Sequence, residues 1–196
     1  MRVLGCAGIS ASVSGAARES PMSRIIIRSG GQTGVDRAAL DVAVERGLDY
    51  CGWCPQGGWA EDCPQPPGIL GRYPLLSTTS GRDPKERTER NVRDSDATLL
   101  IVPHDMQVDS PGSATTERFA QKLGKHYLVL ETGKDGDPVE HCVSWIAGLL
   151  ESCGSGLDLN IAGPRESESP GIYAEATTLL RGVLDRLDQR HPQERR

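Results

Sequence analysis

This chain predicts an α/β fold, a mostly parallel sheet covered by helices on both faces, and three observations lead to it. Short β-branched or apolar runs alternate along the chain with longer stretches whose apolar residues recur at helical spacing. A glycine-rich turn, Ser29 to Gly34, joins the first such run directly to the first helical stretch. The length of 196 residues with 37% hydrophobic content suits one domain with one core. Parallel neighbours need a crossover connection and the intervening helices supply it, which buries both faces of the sheet.

Taken in order, the first strand is expected at residues 24–28, followed by a helix burying Val35, Ala38, Ala39 and Val42. A second strand lies at residues 49–52. The Gly/Pro-rich loop at 53–71 is longer than loops in compact domains usually are, which points to a functional role. Asp83, Pro84 and Glu86 have the pattern of N-cap, N1 and N3 of a helix running to about residue 94, ahead of a buried strand at 97–102. Then come a helix at 113–123, a strand at 126–130, a helix at 138–151 and a last strand at 157–162. Ser169 is the expected N-cap of the closing helix, with Pro170 at N1 and an apolar stripe from Ile172 to Leu187. The domain is expected to span 23–188, with a frayed polar tail at 189–196. Residues 1–22 are too broken by Gly and Ser for a secretory or lipoprotein leader; they are expected to be a disordered extension, or the product of a start set too early, with Met22 as the natural beginning.

A net charge of −5 gives the surface no overall attraction to polyanions, so neither nucleic acid nor an acidic membrane is an expected partner. No apolar run approaches the roughly 18 to 20 residues of a membrane span, and a soluble protein is expected. Cys51-Gly52-Trp53-Cys54 with Cys63 nearby raises zinc or dithiol chemistry. A structural zinc site needs a fourth ligand that is not evident, and a redox CxxC opens a helix, whereas Cys54 is followed by Pro55-Gln56-Gly57-Gly58. No metal site and no catalytic nucleophile–base pair is expected. Six cysteines without a leader suit reduced thiols and a cytoplasmic location.

Ligands in such folds sit beyond the carboxyl ends of the strands, here residues 29–37, 103–117, 163–166 and the helix face at 87–94. The turn has the clearest physics: Gly30, Gly31 and Gly34 permit close backbone approach, and the first N–H groups of the following helix favour an anion such as a phosphate. Gln32 and Thr33 can add donors. Asp36 would repel a charged phosphate if it pointed inward, and Arg37 is placed to offset it. The same glycines would also serve a tight turn on packing grounds alone. In the polar helix, Thr88, Asn91 and Ser95 share one face with Arg87 nearby, while Glu86 with Arg90 and Glu89 with Arg93 are spaced for i,i+4 ion pairs on a solvated face.

Together Ser29-Gly30-Gly31-Gln32-Thr33-Gly34-Val35-Asp36-Arg37, Gly52-Trp53-Cys54-Pro55, Ala60-Glu61-Asp62, Arg87-Thr88-Glu89 with Asn91 to Asp96, and Leu159-Asn160-Ile161-Ala162-Gly163-Pro164-Arg165-Glu166-Ser167 resemble the molybdenum cofactor carrier proteins. These belong to a Rossmann-like superfamily shared with the lonely-guy phosphoribohydrolases and the DNA-processing protein A. The resemblance implies a Rossmann-like three-layer sandwich that binds molybdenum cofactor, with its phosphate on the glycine-rich turn, and passes it to an apo-molybdoenzyme; a homo-oligomer is expected. It adds Gly112, Ser113 and Thr116 as a second anion contact, although Pro111-Gly112 stands where the family usually shows two glycines, and Gln56 and Gly58 stand where it tends to carry basic residues. Arg165 after the last strand completes the candidate set. The alternative is hydrolysis of a nucleoside 5′-monophosphate, for which Pro111-Gly112 and Glu117 echo the enzyme relatives' PGGxGTxxE without its central glycines.

Overall fold

A computed structural model describes residues 25–104, 111–133, 136–153 and 156–190. The expectations for residues 1–22 and for most of the tail fall outside them. The elements are β1 (Ile25–Arg28), α1 (Val35–Arg46), β2 (Asp49–Cys51), β3 (Trp53–Cys54), β4 (Ser77–Thr78), α2 (Pro84–Asp94), β5 (Ala97–Pro103), α3 (Pro111–Lys122), β6 (His126–Thr132), α4 (Pro138–Cys153), β7 (Leu157–Ala162) and α5 (Ile172–Arg190). The architecture is α/β and Rossmann-like. Five strands form one parallel sheet in the order β2-β1-β7-β5-β6.

The core lies mainly between the sheet and the layer made by α1, α4 and α5. Ile25 and Ile27 of β1, Leu99 and Ile101 of β5, and Leu157, Leu159 and Ile161 of β7 point into it at the alternation a strand dictates. Against them pack Val35, Ala39 and Val42 of α1, Ile146 of α4, and Leu180, Val183 and Leu184 of α5. The intervening strand residues face the layer of α2 and α3, which pack on each other. That face is polar in part: Arg28 donates to Asp158 at 2.9 and 2.6 Å, Asn160 donates to Thr98 at 3.2 Å, and Asp96 accepts the N–H of Asp158 at 2.8 Å.

The long loop carries structure of its own. β3 pairs with β4 in parallel, and short 3₁₀ turns lie at Gln56–Gly58 and Gly68–Gly71. A second apolar cluster of Leu40, Cys54, Ala60, Ile69, Tyr73 and Leu76 fixes this excursion to the outside of α1. The predicted cap of α2 is present, with Asp83 accepting the N–H of Lys85 at 2.9 Å, and Glu86 pairs with Arg90 at 2.8 Å. Arg93 pairs with Asp94, not with Glu89, because Asp94 is drawn to the indole N–H of Trp53 and offers the nearer carboxylate. α5 starts later than expected, at Ile172. Its first turn is capped by Glu166, whose carboxylate accepts from Gly171 at 2.6 Å and Tyr173 at 3.0 Å, a longer-range cap than the Ser169 the local sequence suggested. Among the described residues no helix is long and apolar enough to cross a membrane.

Candidate ligand-binding site

The sheet order fixes where a ligand crevice belongs. β1 leads through α1 to β2 on one side and β5 leads through α3 to β6 on the other, with β7 between them, so the connections diverge above the carboxyl end of β7. The turn after β1 meets α2 through Gly30 and Arg87 and the loop after β7 through Gly34 and Pro164, and α2 packs on α3.

The turn's three glycines have different reasons for being glycine. Gly31 has φ +72°, and a Cβ there would stand 2.3 Å from Ile69 in the apolar cluster beneath the loop. Gly34 has φ +74°, and a Cβ would stand 2.3 Å from the carbonyl oxygen of Pro164. Both are explained by close packing. Gly30 faces α2: its Cβ would lie 1.9 Å from Nη1 of Arg87 and 2.8 Å from a carboxylate oxygen of Asp36. Ser29, fully buried, ties the turn down with Oγ 3.1 Å from the carbonyls of both Asp36 and Ile161.

Asp36 does point inward. Its side chain is 3% exposed; it accepts the N–H of Gln32 at 3.4 Å and pairs with Arg87 at 2.8 Å. Burial pushes its pKa up from the usual carboxylate range, against the opposing pull of Arg87, the Gln32 N–H and Arg165. The residue that offsets Asp36 is therefore Arg87, reaching over from α2, not its neighbour Arg37. Arg37 turns the other way, donating to Asp62 at 2.9 and 3.0 Å and to the carbonyl of Gly31 at 3.2 Å.

Gln32 and Thr33 fasten the long loop to the turn. Oε1 of Gln32 accepts from the N–H of Thr33 at 3.1 Å and of Glu61 at 2.9 Å. The Thr33 hydroxyl donates to Glu61 and accepts from the N–H of Glu166, and Ser167 donates to Glu61 at 2.7 Å. Burial opposes the ionisation of Glu61, but the hydroxyls of Thr33 and Ser167 outweigh it and hold its pKa below the ordinary value. Asp62 is lowered chiefly by its hydrogen bond from Arg37.

On α2, Thr88 donates back to the carbonyl of Pro84 and Ser95 to that of Val92. Asn91, 2% exposed, accepts the N–H of Trp53 at 2.8 Å and donates to its carbonyl at 3.0 Å. Arg90 stacks over the Trp53 ring at 4.5 Å. These residues carry the polar face of α2 into the fold. On α3, Thr116 donates back to the carbonyl of Gly112, whereas Ser113, 2% exposed, has an Oγ with no hydrogen-bond partner among the described residues. Arg165 acts electrostatically on both Asp36 and Glu61. The structure thus gathers Gly30, Gln32, Arg87 and Asp36 about the turn. Gly34, Arg37 and Asn91 stand outside that group in packing or loop-fastening roles, and Gly31 belongs to it only through its backbone N–H.

Two clefts flank the first turn of α5. One of about 390 Å³ is bordered by Thr33, Gly34, Arg37, Arg72 and Tyr173. A larger, more apolar one of about 670 Å³ lies against His104, Thr132, Val139, Glu175 and Leu179 and touches no residue of the turn. The CxxC does not act as a unit: Cys54 donates to the carbonyl of Ser77 from the apolar cluster, while Cys51 faces Asp158 on the sheet. Among the described residues no three Cys, His, Asp or Glu side chains converge as metal ligands.

Counted from β7, the spatial order of the sheet reads 3-2-1-4-5, a Rossmann order whose first strand comes last in the chain. Residues 27–184 match the model of the circularly permutated YpsA SLOG family. The chain belongs to this family. A solved structure at 1.45 Å resolution from Syntrophus aciditrophicus SB, named "Putative molybdenum carrier protein", is similar at 37% identity and a TM-score of 0.69, over 85% of this chain and 98% of that one. No curated protein matches the chain significantly.

Asp36 as an inward-facing group was only half legible beforehand. Its place in the first turn of a helix was plain, but its direction depends on Arg87, which lies 51 residues away. Glu166 as a cap and the Arg28–Asp158 pair carried no local signal.

Proposed function

We propose that this protein binds a phosphate-bearing small molecule, molybdenum cofactor, at the Gly30 face of the turn and carries it without converting it. One observation carries the reading. The N–H groups of Gly30 and Gly31 make no hydrogen bond among the described residues, and Arg87, which makes no side-chain bond there except to Asp36, lies directly on Gly30. Backbone donors and a guanidinium therefore meet at one point. The similar protein named as a molybdenum carrier supports the choice of ligand. The acceptor would be an apo-molybdoenzyme.

Binding is favoured over hydrolysis because the glutamate that echoes the enzyme motif, Glu117, accepts from Gln121 one turn along α3, and among the described residues no activated nucleophile stands at the turn. The test is anaerobic titration with molybdenum cofactor, metal-free molybdopterin and AMP, comparing the wild type with Gly30→Asp, which places a carboxylate on the anion's side of the turn. Tight cofactor binding that Gly30→Asp abolishes supports the reading. Release of adenine from AMP would replace it with the hydrolase.

A further inference from the structure

We propose that Asp36 is an internal competitor for the ligand's anion: it holds Arg87 across the glycine turn, and loading of the site transfers Arg87 from Asp36 to the ligand. The proposal rests on the binding reading above and adds how the site is closed and opened.

The geometry carries it. Asp36 sits in the first turn of α1, where a bound anion would feel the same helix end, and its carboxylate already takes a turn donor, the N–H of Gln32. Arg87 pairs with that carboxylate while its Nη1 stands 1.9 Å from where a Cβ of Gly30 would be, so the guanidinium covers the α2-facing side of the turn, where the N–H groups of Gly30 and Gly31 have no partner among the described residues. An anion cannot reach that face until Arg87 moves. A buried ion pair is a weak way to add stability, because desolvating two charges offsets most of their attraction. The pair instead keeps an arginine desolvated, oriented and transferable. Its side chains are 15% and 3% exposed, so little water competes for either partner.

When Arg87 turns to a second anion, an ionised Asp36 is left buried with weaker compensation. The other charged groups near it are Arg165 from the β7–α5 loop, which acts on Asp36 directly, and Glu61 and Asp62, which hold the far side of the turn through Thr33 and Arg37. Loading therefore favours the protonated form of Asp36. Its carboxyl is already raised by burial in the free protein, and loading raises it further, so binding takes up a proton and affinity climbs as pH falls.

The test uses the full chain, with AMP and with adenosine 5′-sulfate, whose anion does not titrate in the working range, from pH 5 to 8. The wild type is expected to bind adenosine 5′-sulfate more tightly at the acidic end, at most about tenfold per pH unit for one proton taken up. Asp36→Asn should bind about tenfold or more tightly at neutral pH and lose that slope. Arg87→Met should bind neither probe. The wild-type slope with the sulfate ester reads the same competition if Asp36→Asn fails to fold. Wild-type binding that is flat with pH for the sulfate ester, or that Asp36→Asn leaves unchanged or weaker, overturns the competition and leaves the ligand reading standing. Absence of binding of either probe by the wild type and by Asp36→Asn at every pH overturns the competition, and the cofactor titration above then decides the ligand reading by itself.

Discussion

Replacing Asn91 separates a residue that shapes the site from one that touches the ligand. Its amide completes β3. The carbonyls of Gly52 and Cys54 are taken on one side by the N–H groups of Ser77 and Thr79, which leaves the N–H and C=O of Trp53 pointing at α2, and Asn91 takes both, at 2.8 and 3.0 Å, as a neighbouring strand would. Asn91→Ala leaves two backbone groups without partners at a position 2% exposed. Each such loss costs roughly 1–3 kcal/mol, and partial access of water to Trp53 puts the pair at about 2–4 kcal/mol. At about 2–4 °C per kcal/mol for a domain of this size, Tm should fall by roughly 5–15 °C. Asn91→Asp keeps the acceptor for the Trp53 N–H but sets a carboxylate against its carbonyl, so it should recover only a small part of the loss. Thermal unfolding followed by circular dichroism, with amide exchange at Trp53, reads both variants. If Asn91→Ala melts within about 2 °C of the wild type while ligand affinity collapses, the strand-completing role is refuted and Asn91 belongs to the ligand.

Gly34→Ala and Gly47→Ala form a matched pair with φ +74° and +65°. A Cβ at Gly34 strikes backbone atoms of the loop after β7, while one at Gly47 meets nothing within 4 Å. Urea midpoints should show a loss of about 1 kcal/mol at Gly47 and about 2–4 kcal/mol at Gly34; equal losses would remove the packing explanation. Because the pKa values of Glu61 and Asp62 are lowered in the fold, their contribution is complete above their unfolded values near pH 4 and is lost as pH falls through the folded ones. Protection of the Glu61 N–H, bound by Gln32, relative to its intrinsic exchange rate should therefore fall below about pH 4, and protection that persists to the point of global unfolding would mean the loop is held otherwise. Burial pushes the thiols of Cys54 and Cys142 up to about 11 and about 12. Both should resist a thiol reagent at pH 8 until the protein is denatured, with mass-spectrometric mapping as the readout, and rapid labelling of Cys54 would contradict the apolar cluster around it.

Where local signals decide structure, the sequence was a good guide. The alternation of apolar runs located all five strands of the main sheet, and Asp83 and Pro84 located the start of α2 because a cap needs only its own few residues. β3 and β4 escaped notice because two-residue strands have no periodicity to read. The polar character of α2 was plain, but its meaning was not: a helix with one fully buried hydrophobe, Val92, is held in place by what Asn91 and Arg90 do to Trp53 and what Arg87 does to Asp36, contacts made across some 40 to 50 residues of chain. Motif reading gave every glycine of the turn the same role, since spacing alone does not say which way a Cβ would point.

The permuted order of strands leaves the position of a Rossmann crevice unchanged. A Rossmann crevice needs the carboxyl ends of three adjacent strands, not their order along the chain, and here β1, β7 and β5 supply them. The cost is that closure depends on contacts between chain segments far apart: Thr33 receives the N–H of Glu166 across 133 residues, and Gly34 meets Pro164 at a distance only glycine tolerates. The turn is consequently rigid on the side of β7 and the loop, where five hydrogen bonds to Gln32, Thr33 and Glu61 hold it. On the side of α2, among the described residues, the Arg87–Asp36 ion pair spans it. The loading step proposed above would disrupt least by moving Arg87, because its pair with Asp36 is the contact that, among the described residues, no further hydrogen bond of Arg87 supports.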